Sequence, residues 1–158
     1  MDASSRGDMH LIDQVQTTER FEERLALRVA MPCAEATAYF TEAGRLVQWY
    51  AGGKIAWIDD VEGQRTRFSI GDDYETEWEW LDVRPDHVVL RQRIENSPPL
   101  AAAITLTEAA GGTEIEVVLA GEMSVFWKEK FLTGWRGLAR LTELATLPPA
   151  HPGAMPQE

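Results

Sequence analysis

The 158-residue sequence contains a single cysteine, Cys33. That excludes an intramolecular disulfide, and one thiol cannot by itself make a thiolate metal site. A reducing, cytoplasmic setting suits such a chain. Histidine is almost as scarce: His10, His87 and His151 fall in an N-terminal lead-in, at a strand start and in a tail, with neither metal-ligand spacing nor a catalytic-triad pattern. No run of about 18 apolar residues occurs, so no membrane insertion is expected. The opening MDASSRGDMH also lacks the apolar core of a signal peptide. Positive charge is in deficit, with 15 Lys and Arg against 26 Asp and Glu and a formal net charge of -11. The basic residues are scattered, which argues against a nucleic-acid partner. Nothing in the sequence calls for a metal or a cofactor.

What is present fits one domain, long enough to bury roughly 70% of its unfolded surface. Residues 1–20 are polar and aperiodic and read as a lead-in. The domain is expected over 21–147, and the prolines at 148, 149, 152 and 156 mark 148–158 as a tail that cannot continue a helix. The segment FEERLALRVAM (21–31) alternates like a half-buried strand. Pro32 then suits the first turn of a helix over 33–43, Gly44 its end, and a short second helix follows to Tyr50.

Six extended runs come next, at 54–61, 64–70, 74–83, 87–94, 100–108 and 113–120. The Gly-, Asp-, Asn- and Pro-rich breaks between them are short enough to imply antiparallel neighbours. From 123 to 147 the pattern turns helical, with Met123, Trp127, Phe131, Gly134, Leu138 and Leu141 on one stripe. At about 37 Å this element must lie across the sheet. The order β-α-α-β6-α makes an α+β fold with its helices on one face of an antiparallel sheet.

Three stretches in this order, LALRVAMPCAEATAYF (25–40), FTEAGRLVQWY (40–50) and GWRGLARLTEL (134–144), resemble the START-like, helix-grip superfamily. Within it they resemble the family of activators of the heat-shock-protein-90 ATPase. The resemblance covers about residues 22–146. It implies a curved sheet wrapped around a long C-terminal helix, with a cavity between them that in many relatives holds a hydrophobic molecule. It does not by itself imply a reaction.

The stretch DDYETEWEW (72–80) poses the sharpest question about a site. Tyr74, Trp78 and Trp80 share one strand parity and Glu75, Glu77 and Glu79 the other. Three unpaired carboxylates are costlier to bury than indoles, so the rings are expected to face the helix. Glutamates two residues apart on a strand diverge, so the acidic parity reads as a solvated face, with Arg65, Arg67, Arg91 and Arg93 as cross-strand partners, and not as a cation site. Cys33 reads as a small apolar core residue.

The candidate ligand-binding residues are Tyr39, Trp49, Trp78, Trp80, Arg91, Trp127 and Phe131, and no catalytic residue is assigned. The leading expectation is a non-enzymatic protein that holds a small hydrophobic or aromatic molecule between sheet and helix. A chaperone-ATPase partner for the acidic surface is one alternative. A polyketide cyclase or aromatase, using Arg67, Arg91 or Tyr39 to orient its substrate, is the other. The oligomeric state is left open.

Overall fold

The computed structural model describes residues 17–61 and 64–146. β1 (Glu19–Val29) is followed by α1 (Cys33–Thr41) and the one-turn α2 (Ala43–Leu46). A 3-10 turn, Tyr50–Gly53, leads into β2 (Ile55–Val61), β3 (Arg65–Ile70), β4 (Tyr74–Arg84), β5 (His87–Ile94), β6 (Leu100–Ala109) and β7 (Gly112–Met123). The chain then forms α3 (Val125–Trp135), a 3-10 segment (Arg136–Ala139) and α4 (Arg140–Thr146). β1 begins at Glu19, two residues before the expected strand start, and residues 1–16 of the expected lead-in lie outside the described residues. The expected tail lies outside the described residues.

All seven strands form one antiparallel sheet in the order β1-β7-β6-β5-β4-β3-β2. The chain meanders from β2 to β7, and β1 closes onto β7 with Glu19 opposite Met123. Short turns leave each strand no partner but its sequence neighbour, and β1 takes the edge that remains.

The alternation in β4 resolves as expected. Tyr74, Thr76, Trp78 and Trp80 are buried on the helix side, whereas Glu75, Glu77 and Glu79 lie on the other face. There Glu79 pairs in register with Arg65 and Arg91, and Glu77 with Arg67 and Arg93. The Arg91 guanidinium reaches the Glu79 carboxylate at 2.6 Å, and Arg65 reaches Glu77 at 3.5 Å. Against an opposing desolvation, the hydrogen bond from Arg91, aided by the charges of Arg91, Arg65 and Arg93, holds Glu79 below the usual carboxylate range. After Trp80 a bulge breaks the period. Leu81 and Val83 are about half exposed.

The last element departs from the sequence reading. Met123 ends β7 instead of opening a helix, and Ser124 caps α3 by accepting a hydrogen bond from the Trp127 amide at 3.4 Å. Nor is the helix continuous, because the 3-10 segment at 136–139 separates α3 from α4. Gly137, inside that segment, sits against the backbone of residues 49–52. The close approach needs a position with no side chain.

Candidate functional site

Between sheet and helix, where a cavity was expected, aromatic rings pack against one another. Trp78 of β4 stacks on Trp135 of α3, with ring centroids 5.1 Å apart and planes at 25°. Trp49 lies 5.4 Å from Trp135, and Tyr50 meets Trp78 edge-on at 5.3 Å. Phe40, Phe68 and Phe131 complete this core without exposure. The indoles are anchored from the sides: Trp49 Nε1 donates to the Tyr39 carbonyl at 2.9 Å and Trp80 Nε1 to the Phe40 carbonyl at 2.6 Å. Trp78 Nε1 is buried with no hydrogen-bond partner among the described residues, a local penalty of about 1–3 kcal/mol.

A polar network runs through these rings. Gln92 points inward from β5, fully buried. Its Oε1 accepts from Trp135 Nε1 at 2.7 Å, and its Nε2 donates to Tyr50 Oη and Thr76 Oγ1, each at 2.8 Å. The Thr76 hydroxyl in turn donates to the Arg93 carbonyl at 2.8 Å. The Tyr50 and Tyr74 hydroxyls lie 3.4 Å apart. Burial pushes the Tyr50 phenol well above its ordinary value, and neighbouring Tyr74 adds to this. Burial also raises Tyr74.

Both phenols therefore keep their protons in the folded state above about pH 10, where an unfolded tyrosine begins to lose its own. Stability should be independent of these groups below about pH 10 and should fall as the pH rises from there toward the folded-state values. Urea denaturation across that range is expected to show the decline, with Tyr50→Phe removing most of it. In a spectrophotometric titration, Tyr50 should ionise only as the fold is lost, and Tyr74 above the ordinary phenol range.

The network reaches solvent at Tyr74. There α3, the turn at 50–53 and the β3–β4 hairpin enclose an open cleft of 780 Å³. Ile70 and Tyr74, both nearly covered, form its floor. Val125 and Phe126, 55% and 48% exposed, form one wall. The opposite lip is Ala51 and Gly52, which run left-handed with φ of 52° and 73°. Charged side chains sit around the opening. The Lys130 ammonium lies 5.2 Å from the centre of the Tyr74 ring, 5.5 Å from that of Phe126 and 3.4 Å from the Asp73 carboxylate. It joins the two aromatic surfaces by cation–π attraction.

The seven residues expected at a site are dispersed relative to this cleft. Trp49, Trp78, Trp80 and Phe131 belong to the packed interior, and Tyr39 lies under Arg45, whose guanidinium carbon is 5.2 Å from the ring centre. Trp127 is only half-buried and meets Phe126 edge-on at 5.1 Å. Arg91 stands on the outer face paired with Glu79, away from the cleft. Its neighbour Gln92 takes the inward position, as strand alternation requires. Cys33 is half-buried rather than buried, with Sγ 3.8 Å from the Pro85 carbonyl.

Residues missed by the sequence reading did leave signals. Gln92 is the polar member of an inward parity otherwise made of Val88, Leu90 and Ile94. Val125 and Phe126 are an apolar pair off the buried stripe of their helix, which marks exposed apolar surface. Among the described residues, no three His, Cys, Asp or Glu side chains converge as metal ligands, and no helix is long and apolar enough to cross a membrane.

No family model and no curated protein matches the chain. Solved structures do. Protein CV1439 from Chromobacterium violaceum superposes with a TM-score of 0.66 at 16% identity, over 80% of this chain and 99% of that one. CalU16 from Micromonospora echinospora gives 0.55 at 21% identity, over 83% and 87%. The chain has the helix-grip fold. DynU16, a protein of the dynemicin biosynthetic locus, matches with 0.56 at 23% identity over 77% of this chain and 47% of its own. In this version of the helix grip the space under the gripped helix is occupied by rings, and an open cleft lies beside the helix, lined from Val125 to Gly137.

Proposed function

We propose that the protein binds a small apolar or aromatic molecule in the cleft formed by Ile70, Tyr74, Val125 and Phe126. The observation that carries this reading is the half-exposed Val125–Phe126 pair facing a 780 Å³ space whose floor is apolar. That volume lies within the range of about 300–1,000 Å³ common to small-molecule sites. A role in handling small molecules is in keeping with the biosynthetic locus to which the structural neighbour DynU16 belongs. With rings filling the space beneath Trp78, this reading has the ligand beside the helix.

The two alternatives draw on other surfaces. The acidic strand face that would meet a chaperone ATPase, in the manner of the activator family, is interleaved with Arg65 and Arg91. Arg67 and Arg91, the groups suited to orient a cyclase substrate, lie on that same outer face. Neither arginine reaches the cleft.

A neutral fluorescent apolar probe such as Nile red should bind the protein with enhanced emission. Phe126→Asp should weaken that binding by about tenfold or more, since covering a phenylalanine is worth roughly 1.5–3 kcal/mol. Amide shifts on adding the probe should cluster at residues 51–54, 70–74 and 125–137. Unchanged affinity in Phe126→Asp, or shifts confined to the outer sheet face, would remove this reading.

A further inference from the structure

The hydrogen-bond network has a direction, and the direction specifies a ligand. The Trp135 indole nitrogen can only donate, so the Gln92 side chain must turn its oxygen to Trp135 and its NH₂ to the other side. Both of those N–H bonds are spent, on Tyr50 Oη and on Thr76 Oγ1. Tyr50 Oη is thus an acceptor for Gln92; either hydroxyl of the Tyr50–Tyr74 pair, 3.4 Å apart, could donate, and donation by Tyr50 is the arrangement that gives its enclosed proton a partner. With Tyr74 accepting in turn, its own proton is left for an acceptor in the cleft that Tyr74 lines. Gln92, Tyr50 and Tyr74 form a relay of donors, each polarising the next.

The charges around the cleft agree with that polarity. Lys54, Lys130 and Arg136 line it against Asp73 and Glu129, a surplus of one positive charge in a chain of net charge -11. Lys130 is paired with Asp73 at 3.4 Å and Arg136 with Glu129 at 4.0 Å. Among the described residues Lys54 is the cation of the cleft without an ion pair.

We propose that the molecule taken by this cleft is an aromatic or flat apolar compound bearing an anionic oxygen, in the simplest case a carboxylate, which accepts from the Tyr74 hydroxyl and pairs with Lys54. The inference rests on the cleft being the binding site. A neutral apolar molecule leaves the Tyr74 proton and the Lys54 charge to water, whereas a carboxylate engages both while its ring covers Phe126. Charge-assisted hydrogen bonds are the stronger kind.

Calorimetric titration with 2-naphthoate and with its methyl ester separates the two claims. The acid is expected to bind at least about tenfold more tightly than the ester, with the preference shrinking as salt is added. Tyr74→Phe, which keeps the ring, and Lys54→Ala, on the exposed lip, should each reduce the preference for acid over ester by about three- to tenfold. Equal affinity for acid and ester, or a preference that survives both substitutions, would overturn the anion inference while leaving the cleft as an apolar site. Binding of neither probe would overturn both.

Discussion

Gly137→Ala is expected to destabilise the protein by about 3 kcal/mol or more, which for a domain of this size is a fall of roughly 10 °C in Tm. A Cβ at position 137 would lie 2.1 Å from the Trp49 carbonyl oxygen, 2.8 Å from the Gly52 nitrogen and 2.9 Å from the Ala51 nitrogen. All three are backbone atoms of one turn, and the Gly52 amide is itself hydrogen-bonded to the Trp49 carbonyl at 3.0 Å. No rotamer change relieves the contact. Either the helix lifts from the sheet or the left-handed turn at Ala51 and Gly52 comes apart.

Gly134→Ala makes an instructive partner to it. Its Cβ would meet the Tyr50 ring at 2.2 Å, but here the obstacle is a side chain. Trimming Tyr50 to leucine should therefore rescue much of the Gly134→Ala loss, with a coupling above about 1 kcal/mol, and should not rescue Gly137→Ala. A Gly137→Ala protein that melts within about 2 °C of the parent would refute the close-packed junction.

Gln92→Leu is expected to cost about 3 kcal/mol in chemical denaturation although it nearly preserves volume. The substitution takes away Gln92 Oε1, the acceptor of the Trp135 indole N–H, and removes the donors to Tyr50 and Thr76. Gains from burying a leucine offset part of this loss, since the site is fully enclosed. Because an orphaned partner is worse than an absent one, Gln92→Leu combined with Tyr50→Phe should cost less than the sum of the two single changes. Additive losses, or a cost below about 1 kcal/mol for Gln92→Leu, would mean that the network contributes little to the fold.

The two sets of substitutions act at different levels. Gly134 and Gly137 let the helix descend onto the residue 50–53 turn, and the descent brings Trp135 onto Trp78 and within reach of Gln92. The same descent places Val125 and Phe126 opposite the lip at Ala51 and Gly52, which gives the cleft its shape. The site is thus a consequence of how two backbones meet rather than of any one motif.

Much of the fold was legible in the sequence for a local reason. Period-2 alternation assigns each side chain of a strand to a face, and burying carboxylates is costly enough to decide which face is inside. Tyr74, Trp78 and Trp80 inward with Glu75, Glu77 and Glu79 outward follows from that alone. Applied with equal strictness to HVVLRQRI, the same rule separates Gln92 from Arg91 and sends only the glutamine inside. The order of the meander is legible too, because its connections are short. Helical phase was less secure: the reading that began at Met123 ran through a strand end, a cap and a break at Gly137, so it registered Trp127 and Phe131 and passed over Phe126. Whether the space beneath the helix is open or filled was decided only by tertiary structure. Periodicity specifies which way a side chain points, whereas that outcome depends on the distance between the helix and a turn more than 80 residues earlier in the chain, a distance that close packing of non-contiguous backbone sets and no local pattern encodes.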